Sequence, residues 1–429
     1  MPSRLRYLFF FLFVLYAGSS RAQTPGSLTL ADAEKIAIEN HPQIQAAQYQ
    51  ANAAKAQVTQ ARSAYYPQVF GSLTGVESET NSRVAAGSLS NSIIFDRYAN
   101  GLTVSQLVTD FGRTHEFVKS ANLRAQAQQE NVVTSRADVL VAVDQAYYAV
   151  LKSQAVLKVA EETVKDRQLV SDQITELEKN KLKSGLDVSF ANVNLAQAQL
   201  LLIQAQNNLQ ASYADLSTAL GYSDQKSFTL SDESAPTAPP ADVAQLISQA
   251  LQNRPELVGG RMTVNSAQSY AIGERDLWFP TISTIAVAGL TPVHEAALGS
   301  RYAAAGFNVN IPIFNGRQFN ALHAEATAQA HAQEQYLRDL QNRVTRDVRK
   351  AWLDANSAFQ RMAVAQQLLN QAALALDLSQ QRYKLGLSSI IELSQAQLNM
   401  TQAEITQASA KYDYAAAMSV LRFQTGDTH

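Results

Sequence analysis

Two hydrophobic periods alternate along this chain, and each occurs twice. Around residue 310, Phe307, Val309, Ile311 and Ile313 alternate with Asn308, Asn310 and Pro312. A period of two gives a strand one greasy and one polar face. Further upstream, Val69 and Leu73 alternate with Ser72 and Thr74, and Leu102, Val104 and Val108 alternate with Thr103 and Ser105. The pattern predicts two strand pairs, at 67–76 with 92–109 and at 280–290 with 302–314, joined by polar loops over Glu77 to Asn91 and Thr291 to Arg301.

The second period is seven. Leu195, Leu202, Leu209 and Leu216 fall seven apart, with Ala191, Ala198, Ala205 and Ser212 as a parallel small-residue series. Ala396, Ala403, Ala410 and Ala417 repeat that series 205 residues later. Val143, Val150, Leu157 and Val164 carry the same spacing, accompanied by Ala146, Ser153 and Ala160. A heptad seam with a small-residue track lets helices approach closely and supercoil left-handed. Neither Arg113 to Ser184 nor Arg317 to Leu385 contains a Gly or a Pro. At about 1.5 Å per residue, each can make a helix on the order of 100 Å long. Long helices are predicted over 113–181, 186–220, 317–385 and 388–425.

The landmarks recur with a nearly constant shift. Pro42 and Pro67 map onto Pro255 and Pro280, 213 residues on, while Gly112, Tyr148 and Gly221 map onto Gly316, Trp352 and Gly426, 204 to 205 on. The chain is two copies of one unit, 23–230 and 243–429, joined by a linker of Ser, Pro and acidic residues at 231–242. Each copy opens with a short helix, 30–40 or 242–253, then a stretch of helical composition, 43–66 or 256–279, before its first strand.

Composition narrows the class. The 429 residues contain no Cys, which removes disulfides, thiolate metal sites, cysteine nucleophiles and a lipid-acylated terminus. Thirty-five Lys and Arg against 37 Asp and Glu supply no field that would draw in nucleic acid. Arg4 and Arg6, the apolar run Leu8 to Leu15 and the small residues of Ser20-Arg21-Ala22 form a signal peptide over 1–22, so the chain is expected to be exported. The remainder shows no run of about 18 apolar residues, so membrane crossing is expected through strands. Four strands cannot close a barrel, since the smallest have about eight. Several chains must pool theirs.

These features together identify a resemblance. The two-copy layout, Asn40-His41-Pro42, Asp110-Phe111-Gly112-Arg113, Ile311-Pro312-Ile313-Phe314 and Tyr383-Lys384-Leu385-Gly386 resemble the TolC-like outer-membrane efflux family, over essentially the whole mature chain. The resemblance implies a mixed α and β membrane protein. Three chains would give a 12-stranded β-barrel in the outer membrane, continuous with a long coiled-coil α-helical barrel across the periplasm. It also implies a periplasmic adaptor and an inner-membrane pump of RND or ABC type, with outer-membrane lipid around the barrel. The cargo reading is efflux or type I secretion. Heptads alone equally suit a secreted or periplasmic coiled-coil protein without channel activity, but such a rod needs neither the strands nor the repeat.

Catalytic candidates are wanting. His41, His115, His294, His323, His331 and His429 are dispersed, none at the spacing of a zinc helix, and no nucleophile elbow or phosphate-cradling loop occurs. No enzyme activity, metal or cofactor is expected. Interest falls on the two turns between long helices, near 180–186 and 384–388. Asp187 and Glu392 are equivalent, each opening a return helix, where an acid favours the helix dipole. The resemblance implies that Asp187, Tyr383 and Glu392 line the constricted entrance, with threefold rings of carboxylate favouring cations. It further implies that Leu182, Leu385, Gly386 and Leu387 are adaptor-contacting tips. Ser388 and Gln395 stand where the family has an arginine and a second acid, so an arginine-based closing network is not expected. Asn180-Lys181-Leu182 likewise replaces the family's Val-Gly-Leu turn.

Overall fold

The computed structural model describes residues 27–79, 82, 94–232, 237–294, 296 and 299–427, so the signal peptide expected over 1–22 and most of the first interstrand loop lie outside the described residues. The order of elements is α1 (Leu30–Asn40), α2 (Pro42–Arg62), β1 (Gln68–Val76), β2 (Arg97–Thr109), α3 (Arg113–Lys179), α4 (Gly185–Ala219), α5 (Val243–Asn253), α6 (Pro255–Arg275), β3 (Thr281–His294), β4 (Arg301–Asn310), α7 (Gln318–Lys384) and α8 (Ile390–Thr425). Prolines and caps set these bounds. Pro42 and Pro255 each take the first helical position, where a missing N–H is harmless. Thr29 and Asp32 close a capping box at the head of α1.

The four strands form one antiparallel sheet in chain order. Opposite residues share a face of a sheet, so the pairings Val69 with Val104, Val104 with Ala286, Ala286 with Ala305 and Ile282 with Val309 define an apolar side. Gln68, Ser105, Ser283 and Asn308 lie on the other. The strands run 9, 13, 14 and 10 residues, and about 9–11 suffice for a tilted membrane strand. Gly101 and Gly289 face each other across β2 and β3, and a Cβ on either would collide with the ring of Tyr302, which lies over both. Three strand ends differ from the sequence pattern. β2 starts at Arg97, with 94–96 outside the strand, where 92 is expected. β3 continues through Thr291 to His294, with Thr291 N–H donating to the Ser300 carbonyl at 2.8 Å, where a loop is expected. β4 stops at Asn310: Pro312 has no N–H to give a ladder, and Ile313 and Phe314 swing free, 88% and 81% exposed.

Turns of unusual backbone connect sheet and helices. Phe111 and Gly112 have φ of +59° and +110°, and the buried Asp110 accepts from the backbone and hydroxyl of Thr114 to seal the head of α3. Gly316 and Arg317 turn the chain similarly before α7, at φ +63° and +67°.

The helices α3 and α7 have 67 residues each, and each folds back on its successor. Ala191, Ala198, Ala205 and Ser212 of α4 are all buried, as are Ala396 and Ala403 of α8, so the sevenfold small-residue track is where backbones meet. α3 also packs against α1, α2, α6 and α8. The main core lies at mid-height, where Val139, Val143, Tyr147 and Val150 of α3 meet Ala33, Ala37, Ile44 and Leu216. The linker is strapped across this level. Tyr147 Oη donates to the carbonyls of Leu28 and Ser231 at 2.8 and 2.7 Å, and Trp352 Nε1 donates to Pro240 at 2.7 Å.

One expectation is corrected. α4 does contain an 18-residue window apolar enough, at mean hydropathy 1.2, to pass as a membrane span by composition. Its Ala track is nevertheless occupied by α3, and Asn194 Nδ2 donates to Ser394 Oγ of α8 at 2.7 Å, so the structure uses it as the return arm of a hairpin. The high hydropathy comes partly from Leu186, Val193, Leu200 and Ile203, which are 51–67% exposed.

If the track sets the helix spacing, Ala205→Leu must overpack it. The expected cost is about 1–3 kcal/mol, seen as a lower Tm, whereas Gln206→Leu, at an exposed neighbour, leaves the Tm within a degree or two.

Candidate functional site

Both hairpin turns close by the same backbone device. Leu182 N–H reaches back to the Leu177 carbonyl at 2.9 Å, and Leu387 N–H to Arg382 at 2.8 Å, the six-to-one bond of a Schellman motif. Such a motif needs one left-handed residue. Gly386 supplies it in the second turn at φ +73°, and Lys181 supplies it in the first at φ +60°. The Asn180-Lys181-Leu182 turn therefore keeps the shape of its counterpart despite lacking glycine. Leu182, Leu385 and Leu387 project from the turns, 67–73% exposed.

Asp187 opens α4 in a capping box. Its Oδ2 accepts from the Ser184 backbone and hydroxyl at 3.0 and 2.7 Å, and its own N–H donates to Ser184 Oγ at 3.2 Å. Its other oxygen, Oδ1, accepts from Tyr383 Oη at 3.3 Å, which ties the first hairpin to the second. The helix-cap role and the tip contact thus coexist in one carboxylate. Partial burial works against the Asp187 charge, yet the Ser184 and Tyr383 hydrogen bonds and the Lys183 ammonium outweigh it and hold the carboxyl below the usual range. This contribution is present above the ordinary carboxylate pKa and is lost as pH falls through the depressed value. Tyr383 packs among Ile174, Ala191, Ile390 and Leu393, only 7% exposed. Burial first, and then the Asp187 charge and hydrogen bond, push its hydroxyl up to about 12, so it remains a donor throughout the physiological range.

Glu392 has a different partner. It opens α8 behind the cap residue Ser389, and its Oε1 pairs with Arg382 Nε at 3.2 Å, with both side chains about half exposed. An arginine does therefore serve this tip, from the position before Tyr383 rather than from position 388. Ser388, standing at the family's arginine position, has a buried hydroxyl with no hydrogen-bond partner. Lys183 places its ammonium 3.7 Å from the Tyr383 ring centroid, a cation–π contact. Sequence reasoning missed both Lys183 and Arg382. Lys183 carried a signal in adjacency, lying four residues before Asp187, on whose charge it acts, whereas Arg382 meets Glu392 only across the turn, ten positions on. The structure brings Asp187 and Tyr383 together and leaves Glu392 within its own hairpin, and each acid has a base beside it.

Among the described residues no group of three or more His, Asp or Glu side chains could hold a metal. A sheet with one apolar face, carried on two long helical hairpins whose turns meet through polar contacts, is the subunit of a barrel-and-tunnel membrane channel. The chain belongs to the outer membrane efflux protein family, matching it over residues 35–222 and 246–427, one match per structural copy. It is similar to the outer membrane efflux protein BepC of Brucella suis, 24% identical over 376 residues that cover 85% of this chain and 78% of that one. It is likewise similar to the alkaline protease secretion protein AprF of Pseudomonas aeruginosa, 23% identical over 93% of this chain and 85% of that one. Among solved structures, the CmeC outer membrane channel of Campylobacter jejuni superposes with a TM-score of 0.80 at 16% identity, covering 99% and 94% of the two chains. The protein is an outer-membrane channel of the efflux and secretion class.

The left-handed lysine gives a direct check on the turn. A side chain in that conformation costs about 1 kcal/mol or more, offset in part by glycine's freedom when unfolded. Lys181→Gly is expected to raise the Tm slightly, and Gly386→Ala to lower it.

Proposed function

We propose that three copies of this chain assemble as a passive conduit through the outer membrane and into the periplasm, closed at rest by contacts between the two hairpin turns of each chain. Within one chain β1 and β4 each leave an edge unpaired, which lipid does not tolerate. Three sheets joined edge to edge give twelve strands and no edge. The exposed stripe of Leu186, Val193, Leu200 and Ile203 on α4 supports the same reading, since it is apolar surface without a cover in the single chain. Tyr65, Tyr66, Phe111, Trp278, Phe279 and Phe314 cluster by position at the strand-to-helix junction and are 38–81% exposed, as residues of a membrane–water boundary would be.

Export by a cleaved signal peptide over 1–22 fits this placement, and a chain without cysteine is not acylated there. A passive conduit takes its energy and cargo selection from partners. A periplasmic adaptor meets the projecting Leu182, Leu385, Gly386 and Leu387, and an inner-membrane pump of RND or ABC type lies beneath it. One relative's name speaks of efflux and another's of protease secretion. A wide solvated conduit suits either, with the pump deciding. The observation that carries the reading is the Tyr383–Asp187 bond between hairpins at the turn end; the proposal adds Glu392 as the second acid of the constriction.

Reconstituted in planar bilayers, the purified protein should conduct weakly at rest. Removing a hydrogen bond to a charged group typically costs about 1.5–3 kcal/mol, so Tyr383→Phe should open at least about tenfold more often. A parent protein that never conducts would overturn the channel.

A further inference from the structure

Behind the tip, the two hairpins touch through a short series of polar contacts. Asn194 meets Ser394 at 2.7 Å, and within the first hairpin Ser171 Oγ donates to Asn192 Oδ1 at 2.8 Å. These are neutral and satisfied. Arg167, on α3 about 18 Å before the helix end at 1.5 Å per residue, is neither neutral nor fully matched.

Its side chain is 8% exposed, and Nη2 donates to the Gln397 carbonyl at 2.9 Å and to Thr401 Oγ1 at 3.1 Å, both on α8. The Gln397 carbonyl also accepts from the Thr401 hydroxyl at 3.2 Å, so it would not be orphaned without the arginine. Asp166 and Glu404 act on the guanidinium through space, and no carboxylate forms an ion pair with it among the described residues. Gln397 itself is 2% exposed, and its Nε2 has no partner. Two unfavourable features therefore lie at one crossing of α3 with α8: a buried cation whose direct bonds are to neutral oxygens, with Asp166 and Glu404 acting only from a distance, and a buried amide donor with no bonded partner. Desolvating a charge costs several kcal/mol unless its partners repay it, and an unmade buried hydrogen bond costs about 1–3 kcal/mol. Both are relieved when water enters. A cleft of about 430 Å³, lined by Arg167, Gln397, Lys183 and Tyr383, brings solvent to the edge of the crossing.

We propose that Arg167 and Gln397 are positioning residues of opposite sense to Tyr383: they strain the closed crossing of α3 and α8 so that closure remains reversible. The inference rests on the reading above, in which the hairpins part at the tip when the channel opens. When they part, the guanidinium and the Gln397 amide regain water, and the Tyr383–Asp187 bond is what holds them dry until then. The consequence is contrary to the usual expectation for a hydrogen-bonded residue. Removing Arg167 should close the channel more firmly.

The test compares opening frequency in planar bilayers for the parent and four variants, each checked for trimer on an unheated gel. Arg167→Met keeps the volume and removes the charge, and is expected to open about tenfold less often. Gln397→Leu should also open less often. Arg167→Lys, which keeps the charge, should stay near the parent, and Tyr383→Phe should open more often. Arg167→Met opening as often as the parent or more, or losing the trimer, while Tyr383→Phe opens more, overturns the proposal and leaves the channel intact. An unchanged Tyr383→Phe removes the tip reading on which it depends.

Discussion

Unpaired strand edges are the constraint on which the rest of this molecule depends. Each chain makes a four-stranded sheet with an apolar face and two free edges, β1 and β4. In water such edges invite aggregation, and in lipid they leave peptide groups that nothing can satisfy. Pooling strands between chains satisfies them only if the chains meet about a common axis. That axis then fixes what the helices can do. Hairpins whose outgoing helices have 67 residues, carried from the sheet by the tight turns at Phe111-Gly112 and Gly316-Arg317, must run on together around the same axis.

A tunnel of helices faces an opposite problem, because tight packing everywhere would hold it shut. The small-residue track at Ala191, Ala198 and Ala205 lets α4 lie close against α3, with the Ser171–Asn192 bond beside it, so each hairpin is a stiff unit. Contacts between hairpins add exchangeable bonds to the apolar packing of Tyr383, Ile390 and Leu393 on Ile174 and Ala191: Tyr383 with Asp187, Asn194 with Ser394, Arg167 with α8. Polar contacts exchange readily for water, whereas an interdigitated apolar seam does not. Stiffness within hairpins and exchangeable bonds between them are the two properties a tunnel needs in order to open at one end.

Much of this was legible in residue spacing. The repeat, the helix-opening prolines, the heptads and the two turns all report local backbone requirements, which sequence states directly. The strand ends were less legible. Alternation continues through Ile311 and Ile313, but the ladder stops because Pro312 has no N–H, and β3 runs past Thr291 because a partner across the sheet accepts it. α4 is the long return helix expected, but its hydropathy also passes for a membrane span, because exposed Leu186, Val193, Leu200 and Ile203 add to its apolar content. The partners of the tip residues were the least legible. Glu392 found Arg382, ten positions away, while the family's arginine position holds a serine, and Arg167 meets residues 230 and 234 positions distant. Pairings across hairpins depend on how two helices are set against each other, which no single-helix period records.

Edge pairing between chains can be observed directly by hydrogen exchange and mass spectrometry on the protein in lipid nanodiscs. If β1 and β4 are paired across subunits, peptides covering Gln68–Val76 and Arg301–Asn310 will exchange as slowly as those covering β2 and β3. Edge strands that exchange rapidly while the central strands stay protected would contradict the closed barrel, and with it the account given for the helices below.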